Sequence, residues 1–181
     1  DLASPLATTE LNGVATRIVT QEREAIADPD LGLVGNLLSI NAAETMKLLA
    51  PATAEKAFAG EQYNPTATQI ELVRGWNWLG YPLGTALSLN DALALLEPDT
   101  DDCIETLDGG FATYTADGEW TGSLQLMQPG RGYLYKSGSD KSFAYNAVSS
   151  VANAQALYGA HRLQTKAAPY ELNRHRYPNM M

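Results

Sequence analysis

Between Ile70 and Leu83 the apolar positions fall on both parities of an extended chain. Ile70, Leu72, Trp76 and Trp78 take one parity, and Leu79, Tyr81 and Leu83 take the other. A strand apolar on both faces belongs in the middle of a sheet. Trp76 and Trp78 point to one face and Asn77 to the other. Ile70 and Leu72 join the tryptophan face unless Arg74–Gly75 introduces a bulge. The stripe predicts that Leu72, Trp76 and Trp78 are core residues, because large aromatics are mostly buried. The alternative is a sugar platform, which needs exposed rings with polar neighbours.

The period then changes. "SLNDALALLEP" offers Ser88 as an N-cap, Asp91 at the capping-box position and Pro98 beyond the end. Leu89, Ala92, Leu93 and Leu96 share one helical face, which makes Leu93 a core residue. Strands are expected near Cys103–Leu107, Phe111–Thr115, Glu119–Leu126, Tyr133–Lys136 and Ser142–Tyr145, with turn residues between them. The fold class that follows is mainly β with one or two short helices, as a sandwich or a barrel-like domain.

The same pattern recurs along the chain. "IVTQ" (Ile18–Gln21) lies 86 residues before "IETL" (Ile104–Leu107). "DLGLVGNLLSI" (Asp30–Ile40) lies 87 before "DGEWTGSLQLM" (Asp117–Met127), and Phe58–Gly60 lies 85 before Phe143–Tyr145. Ser4–Pro5–Leu6 can be set against Ser88–Leu89–Asn90. A near-constant offset with one-residue slips at turns suggests two tandem copies of one β-rich unit. It also decides an ambiguous stretch. "NAAETMKLLA" reads alone as a helix, but its counterpart "PGRGYLYKS" reads as a strand after a turn. We therefore expect strands at Thr45–Leu49 and Gly132–Ser137. The organisation expected is copy 1 at 1–65, copy 2 at 66–146, and a linker with the start of a following module at 147–181. Each copy alone is marginal for burying its own face, so we expect the two to share one core or one continuous interface.

Charge sharpens that division. The 181 residues carry a net charge of −9. Residues 1–146 hold 8 basic and 20 acidic residues, whereas the tail holds Arg162, Lys166, Arg174 and Arg176 against Glu171 alone. An acidic body argues against a nucleic-acid surface. No run of 18 apolar residues exists to span a membrane. Lone Cys103 allows no intrachain disulfide and reads as a small hydrophobe. The chain opens at Asp1 without an initiator Met or signal peptide, so we expect a fragment or a trimmed mature protein.

Several motifs occur in order: "GWNWLGYPL" (Gly75–Leu83), "SLNDALA" (Ser88–Ala94), "FATY" (Phe111–Tyr114), Trp120 with "GSL", and "PGRGYLYKS" (Pro129–Ser137). Over roughly residues 1–146 this set resembles a repeat of large secreted and cell-surface proteins of Bacteroidetes-type bacteria. "HRYPNMM" is similar to the opening of a following immunoglobulin-like module in such proteins. Copy 1 departs from the pattern: it lacks a GWNW strand, and Leu33 stands where copy 2 has Trp120. The resemblance implies a non-catalytic extracellular module, structural, adhesive or ligand-binding. Its implied partners are a host or bacterial surface protein or a glycan, and neighbouring modules of the same chain. No catalytic residue is carried over from it.

The chemistry in the residues is sparse. His161 and His175 both lie in the tail, no metal-ligand spacing appears, and no cofactor is expected. Asp28–Asp30 and Asp99–Asp101–Asp102 could gather calcium, but they lack the EF-type pattern and read better as turn caps. Glu22, Glu24, Asp108 and Glu119 could pair as glycosidase acids only if the fold brought them together. The aromatic candidates for a ligand are Tyr114, Trp120, Tyr133 and Tyr135. A glycan-binding accessory domain is the alternative function.

Overall fold

A computed structural model describes residues 6–57, 64 and 67–146. The expected linker and following module at 147–181, and the segments Ser4–Pro5 and Phe58–Gly60, lie outside the described residues. In chain order the first group of strands is β1 (Leu6–Ala7), β2 (Arg17–Val19), β3 (Glu24–Asp28), β4 (Gly32–Gly35), β5 (Ser39–Ile40) and β6 (Lys47–Leu49). The second group is β7 (Ile70–Leu72), β8 (Gly75–Gly80), β9 (Leu87–Ser88), β10 (Cys103–Thr106), β11 (Phe111–Tyr114), β12 (Trp120–Gly122), β13 (Leu126–Met127), β14 (Gly132–Ser137) and β15 (Lys141–Phe143). Among the described residues helix is limited to a 3-10 turn at Thr8–Leu11 and α1 at Leu89–Ala92, so the fold is mainly β.

Two antiparallel sheets dominate. The first runs β4-β3-β2-β6 and the second β12-β11-β10-β14-β8. Their shared strands have the same order and register. Leu48, Ile18, Ala25 and Gly35 form one row across the first sheet. Tyr135, Ile104, Ala112 and Gly122 form the matching row across the second. Local hydrogen bonds match too. Thr20 N–H donates to the Arg23 carbonyl (2.8 Å) and Thr106 N–H to that of Gly110 (2.8 Å). Leu37 N–H reaches Glu24 O at 3.0 Å, and Leu124 N–H reaches Phe111 O at 2.9 Å. A Cβ on Gly35 or on Gly122 would lie 2.2 Å from the carbonyl oxygen of Glu24 or Phe111, so both strands need glycine at that close approach.

The pairing ahead of each sheet corrects one detail. β1 pairs with β5 and β9 with β13, which sets Ala7, not Ser4, against Ser88. Ser88 caps α1 by accepting from Asp91 N–H at 3.1 Å. Its hydroxyl donates to the Asp91 carboxylate (2.6 Å), which thus caps the cap. The face of Leu89, Ala92, Leu93 and Leu96 is buried as the spacing predicts. The expected strand over Glu119–Leu126 is interrupted and emerges as β12 and β13.

The buried apolar residues form two clusters, not one shared core. Leu11, Ile18, Leu33 and Leu37 anchor the first. Leu79, Ile104, Met127, Tyr133, Tyr135 and Tyr145 anchor the second. What joins the two halves is largely polar. Gly80 N–H donates to Ala43 O (2.9 Å), and Glu44, held by Arg23 of its own half, bridges Leu79. The side chain of Gln21 docks on β8 as if it were a strand residue. Its Nε2 donates to Trp76 O (3.1 Å), and its Oε1 accepts from Trp78 N–H (2.6 Å). Covering an exposed sheet edge in this way satisfies backbone groups that would otherwise invite pairing.

Candidate functional site

The expected single strand over Ile70–Tyr81 breaks at a corner. Gly75 has φ +106°, a conformation that side-chain-bearing residues rarely adopt. Asn77 holds the corner: its Oδ1 accepts from Val73 N–H (2.9 Å), and its Nδ2 donates to the carbonyls of Val73 (2.8 Å) and Gly75 (3.0 Å). The corner reverses the parity of the chain. Leu72 is buried before it, and Asn77, Leu79 and Tyr81 are buried after it. Trp76 and Trp78 therefore leave the core and stand half-buried on the outer face. This corrects the expectation that both rings sit in the core with Leu72 and Leu93.

The register assembles that outer face. Trp76 lies opposite Lys136, which lies opposite Cys103 and then Thr113. Trp78 lies opposite Leu134, followed by Glu105 and Phe111. The Lys47 ammonium, reaching across from β6, sits 4.6 Å from the Trp78 ring centroid, within cation–π range. The result is a surface with two indoles, an exposed Phe111, the two ammonium groups of Lys47 and Lys136 and the carboxylate of Glu105. Burial, then the neighbouring Glu105, pushes the Cys103 thiol up, so it stays protonated and is a poor nucleophile.

The four aromatic ligand candidates lie on the opposite, core-facing side. Tyr133 and Tyr135 are fully buried and unavailable to a ligand. The Tyr133 hydroxyl accepts from Gln128 N–H at 2.7 Å. Tyr114 and Trp120 are half-buried, with rings 5.2 Å apart, and Trp120 packs 6.0 Å from Tyr135. They close one end of the second core. The matching pair in the first sheet is Ala27 opposite Leu33.

The carboxylates are committed elsewhere. Asp28 Oδ1 caps its own turn by accepting from Asp30 N–H (2.9 Å) and Leu31 N–H (3.0 Å). Asp102 is buried and fully partnered. Its Oδ2 accepts from Tyr135 OH (2.7 Å), Lys141 Nζ (2.9 Å) and Asp99 N–H (3.0 Å), and its Oδ1 from Gly138 N–H (2.6 Å). Lys141 also contacts Asp99 at 3.0 Å, so an ammonium occupies the place a cation would take between these two carboxylates. Ser139 first, and Lys141 with it, holds Asp99 below the usual carboxylate range. Burial and the Asp102 hydrogen bond push the Tyr135 phenol up. Glu24 pairs with Arg17 (2.7 Å) and Asp108 with Arg131 (3.1 Å), while Glu22 and Glu119 are exposed in separate connections, between β2 and β3 and between β11 and β12. An open depression of about 270 Å³ beside Asp108 is lined by Thr106, Leu124, Gln128 and Tyr133, and its one ion pair is self-neutralising.

Sequence reasoning missed Asn77, Gln21 and Lys141 as organising residues. Only Asn77 left a signal, as a polar residue at an inward position of an apolar strand. Among the described residues no helix is long and apolar enough to cross a membrane. No protein-family model, no curated protein and no solved structure matches the chain.

Proposed function

We propose that this chain is a non-catalytic module of a multi-domain bacterial surface protein, built from two tandem copies of one unit. It works through the outer face of the second sheet. The observation that carries the reading is the half-buried pair Trp76 and Trp78, set with Lys136 and Glu105 on the face turned away from the core. Surface aromatics with a rigid backbone behind them lose little entropy on contact. The shared strand order of the two sheets supports the repeat, and the committed carboxylates support a non-catalytic role. The cell-surface setting and the adhesive or structural role follow from the sequence resemblance.

A second reading, a glycan-binding accessory domain, is favoured by the same indoles, since flat rings beside polar groups suit sugar stacking. Beads coated with the chain, tested on glycan-coated and protein-coated surfaces, measure both readings. Trp76→Ala should abolish retention on the surface that binds while leaving the thermal melt nearly unchanged. Retention on glycans favours the second reading, and retention on proteins the first. Unaltered retention by Trp76→Ala, or turnover of a chromogenic glycoside by the parent chain, would overturn the proposal.

A further inference from the structure

β6 and β14 occupy the same place in their sheets but have different surroundings. β14 lies inside, paired with β8 from Gly132↔Gly80 to Ser137↔Gly75. β6 is the last strand of its sheet among the described residues. Leu49 O accepts from Thr16 N–H (2.8 Å), so the polar groups of Leu49 turn inward toward β2. Alternation along the strand then turns the N–H and C=O of Leu48 toward the open edge. Tyr135, in the matching position, directs its carbonyl to β8, where Asn77 Nδ2 lies 3.4 Å away. The side chains differ accordingly: Tyr135 is fully buried beneath β8, whereas Leu48 is half-buried. An apolar row ends at the same edge. Leu49 is 61% exposed, Ile26 46% and Val34 41%, with Arg17 between Leu49 and Ile26. Exposed edges in natural sheets are usually blunted by charge, proline or a bulge, and β6 carries Lys47 alone.

We propose that the β6 edge is a docking site for one additional strand with the residue pattern of Gly75–Gly80, supplied by another unit of the same kind. The occupant is specified by the molecule's own second sheet. An antiparallel strand in the register of β8 sets its asparagine opposite Leu48, where the paired backbone groups are free to exchange hydrogen bonds. Its two tryptophans fall opposite Leu49 and Lys47 on the outer face. One indole then covers the exposed Leu49 beside Arg17, and the apolar row gains a neighbour. This is strand addition, in which main-chain bonds give affinity and alternate side chains give selectivity.

A synthetic peptide with the sequence of residues 68–84 tests this against the full chain, with backbone amide exchange as the readout. Saturable one-to-one binding is expected, with slower exchange at Leu48. At free peptide ten times the dissociation constant the slowing should be about tenfold. A peptide N-methylated at its asparagine lacks the N–H that reaches Leu48 O, and it should bind about tenfold more weakly. Because that change is in the peptide, the fold of the protein is untouched. Absent binding, or binding indifferent to N-methylation, would overturn the proposal. So would protection along β14 instead of β6, which would mean exchange with β8. A dimer formed without peptide in which two β6 edges pair with each other and protect Leu48 would assign the edge to a different occupant and would also overturn it.

Discussion

The two sheets share strand order, register and turn hydrogen bonds, yet they are stabilised differently. Residues 6–57 contain no aromatic residue, and the first core is a small set of Leu, Ile and Ala. The second core packs Tyr81, Phe143 and Tyr145 edge to face, with centroids 5.1–5.4 Å apart, and adds the buried Asp102–Lys141 pair. Ala25 and Ala112 are identical where backbone geometry decides, as are Gly35 and Gly122. Side chains diverge where the extra strand β8 adds volume to be filled, Leu48 against Tyr135, and again at the far edge, where Trp120 packs on Tyr135 in place of Leu33. One backbone plan thus accepts either an aliphatic or an aromatic interior, provided the tight positions are kept.

The largest expected effect breaks this comparison on one side. Lys141→Met leaves Asp102 buried without its cationic partner, which should cost about 3–5 kcal/mol. All three tryptophans lie in residues 67–146, so the loss reads out as an earlier fluorescence transition. An unchanged midpoint would mean that water or another residue replaces the ammonium. The next test addresses both sides at once. Gly35→Ala and Gly122→Ala each force a Cβ against a carbonyl, and each should cost about 1–3 kcal/mol. Similar penalties would sharpen the equivalence of the two sheets. A large loss at one position and none at the other would break it.

The smallest effect is the pH dependence that Asp99 and Lys141 give the second half. Hydrogen bonds from Ser139 and Lys141 lower the pKa of Asp99 below its ordinary 3.8, so its stabilisation is present above that value and fades as pH falls through the depressed one. Lys141 is raised: burial alone would lower it, and the Asp102 and Asp99 contacts outweigh that. Its contribution is complete below 10.5 and is lost as pH rises through the folded value. Melts across pH should therefore decline at both extremes in the tryptophan signal. Ser139→Ala should flatten the acid limb, and an unaltered limb would assign it to other carboxylates.

Local pattern made much of the fold legible. Turn-bounded apolar runs placed most of the strands of the second half, and Ser88 with Leu89, Ala92, Leu93 and Leu96 placed α1. The recurring offset turned Lys47–Leu49 from an apparent helix into a strand, because tertiary pairing overrides helix propensity. The candidate surface was less legible. A two-residue period assigns faces only while the chain stays straight, and the Val73–Gly75 corner shifts every later residue by one. That shift depends on a positive φ and on three side-chain bonds from Asn77, which no alternation encodes. Gln21 and Trp76 are 55 residues apart, and Asp102 and Lys141 are 39 apart. Partners at such separations carry no joint signature in one sequence.

The pairing of β8 with β14 also sets an order of events during synthesis. The four described strands of the first sheet are all made once Leu49 has emerged from the ribosome. The second must wait for Gly132–Ser137 to reach β8, and for Lys141 to neutralise Asp102. Through that interval some fifty residues of nascent chain carry a strand with two tryptophans and no partner on its β14 side. The half already folded holds Gln21 in a position to engage the other side. The earlier-made half can then cover one edge of β8 through Gln21 before the closing strand reaches the other.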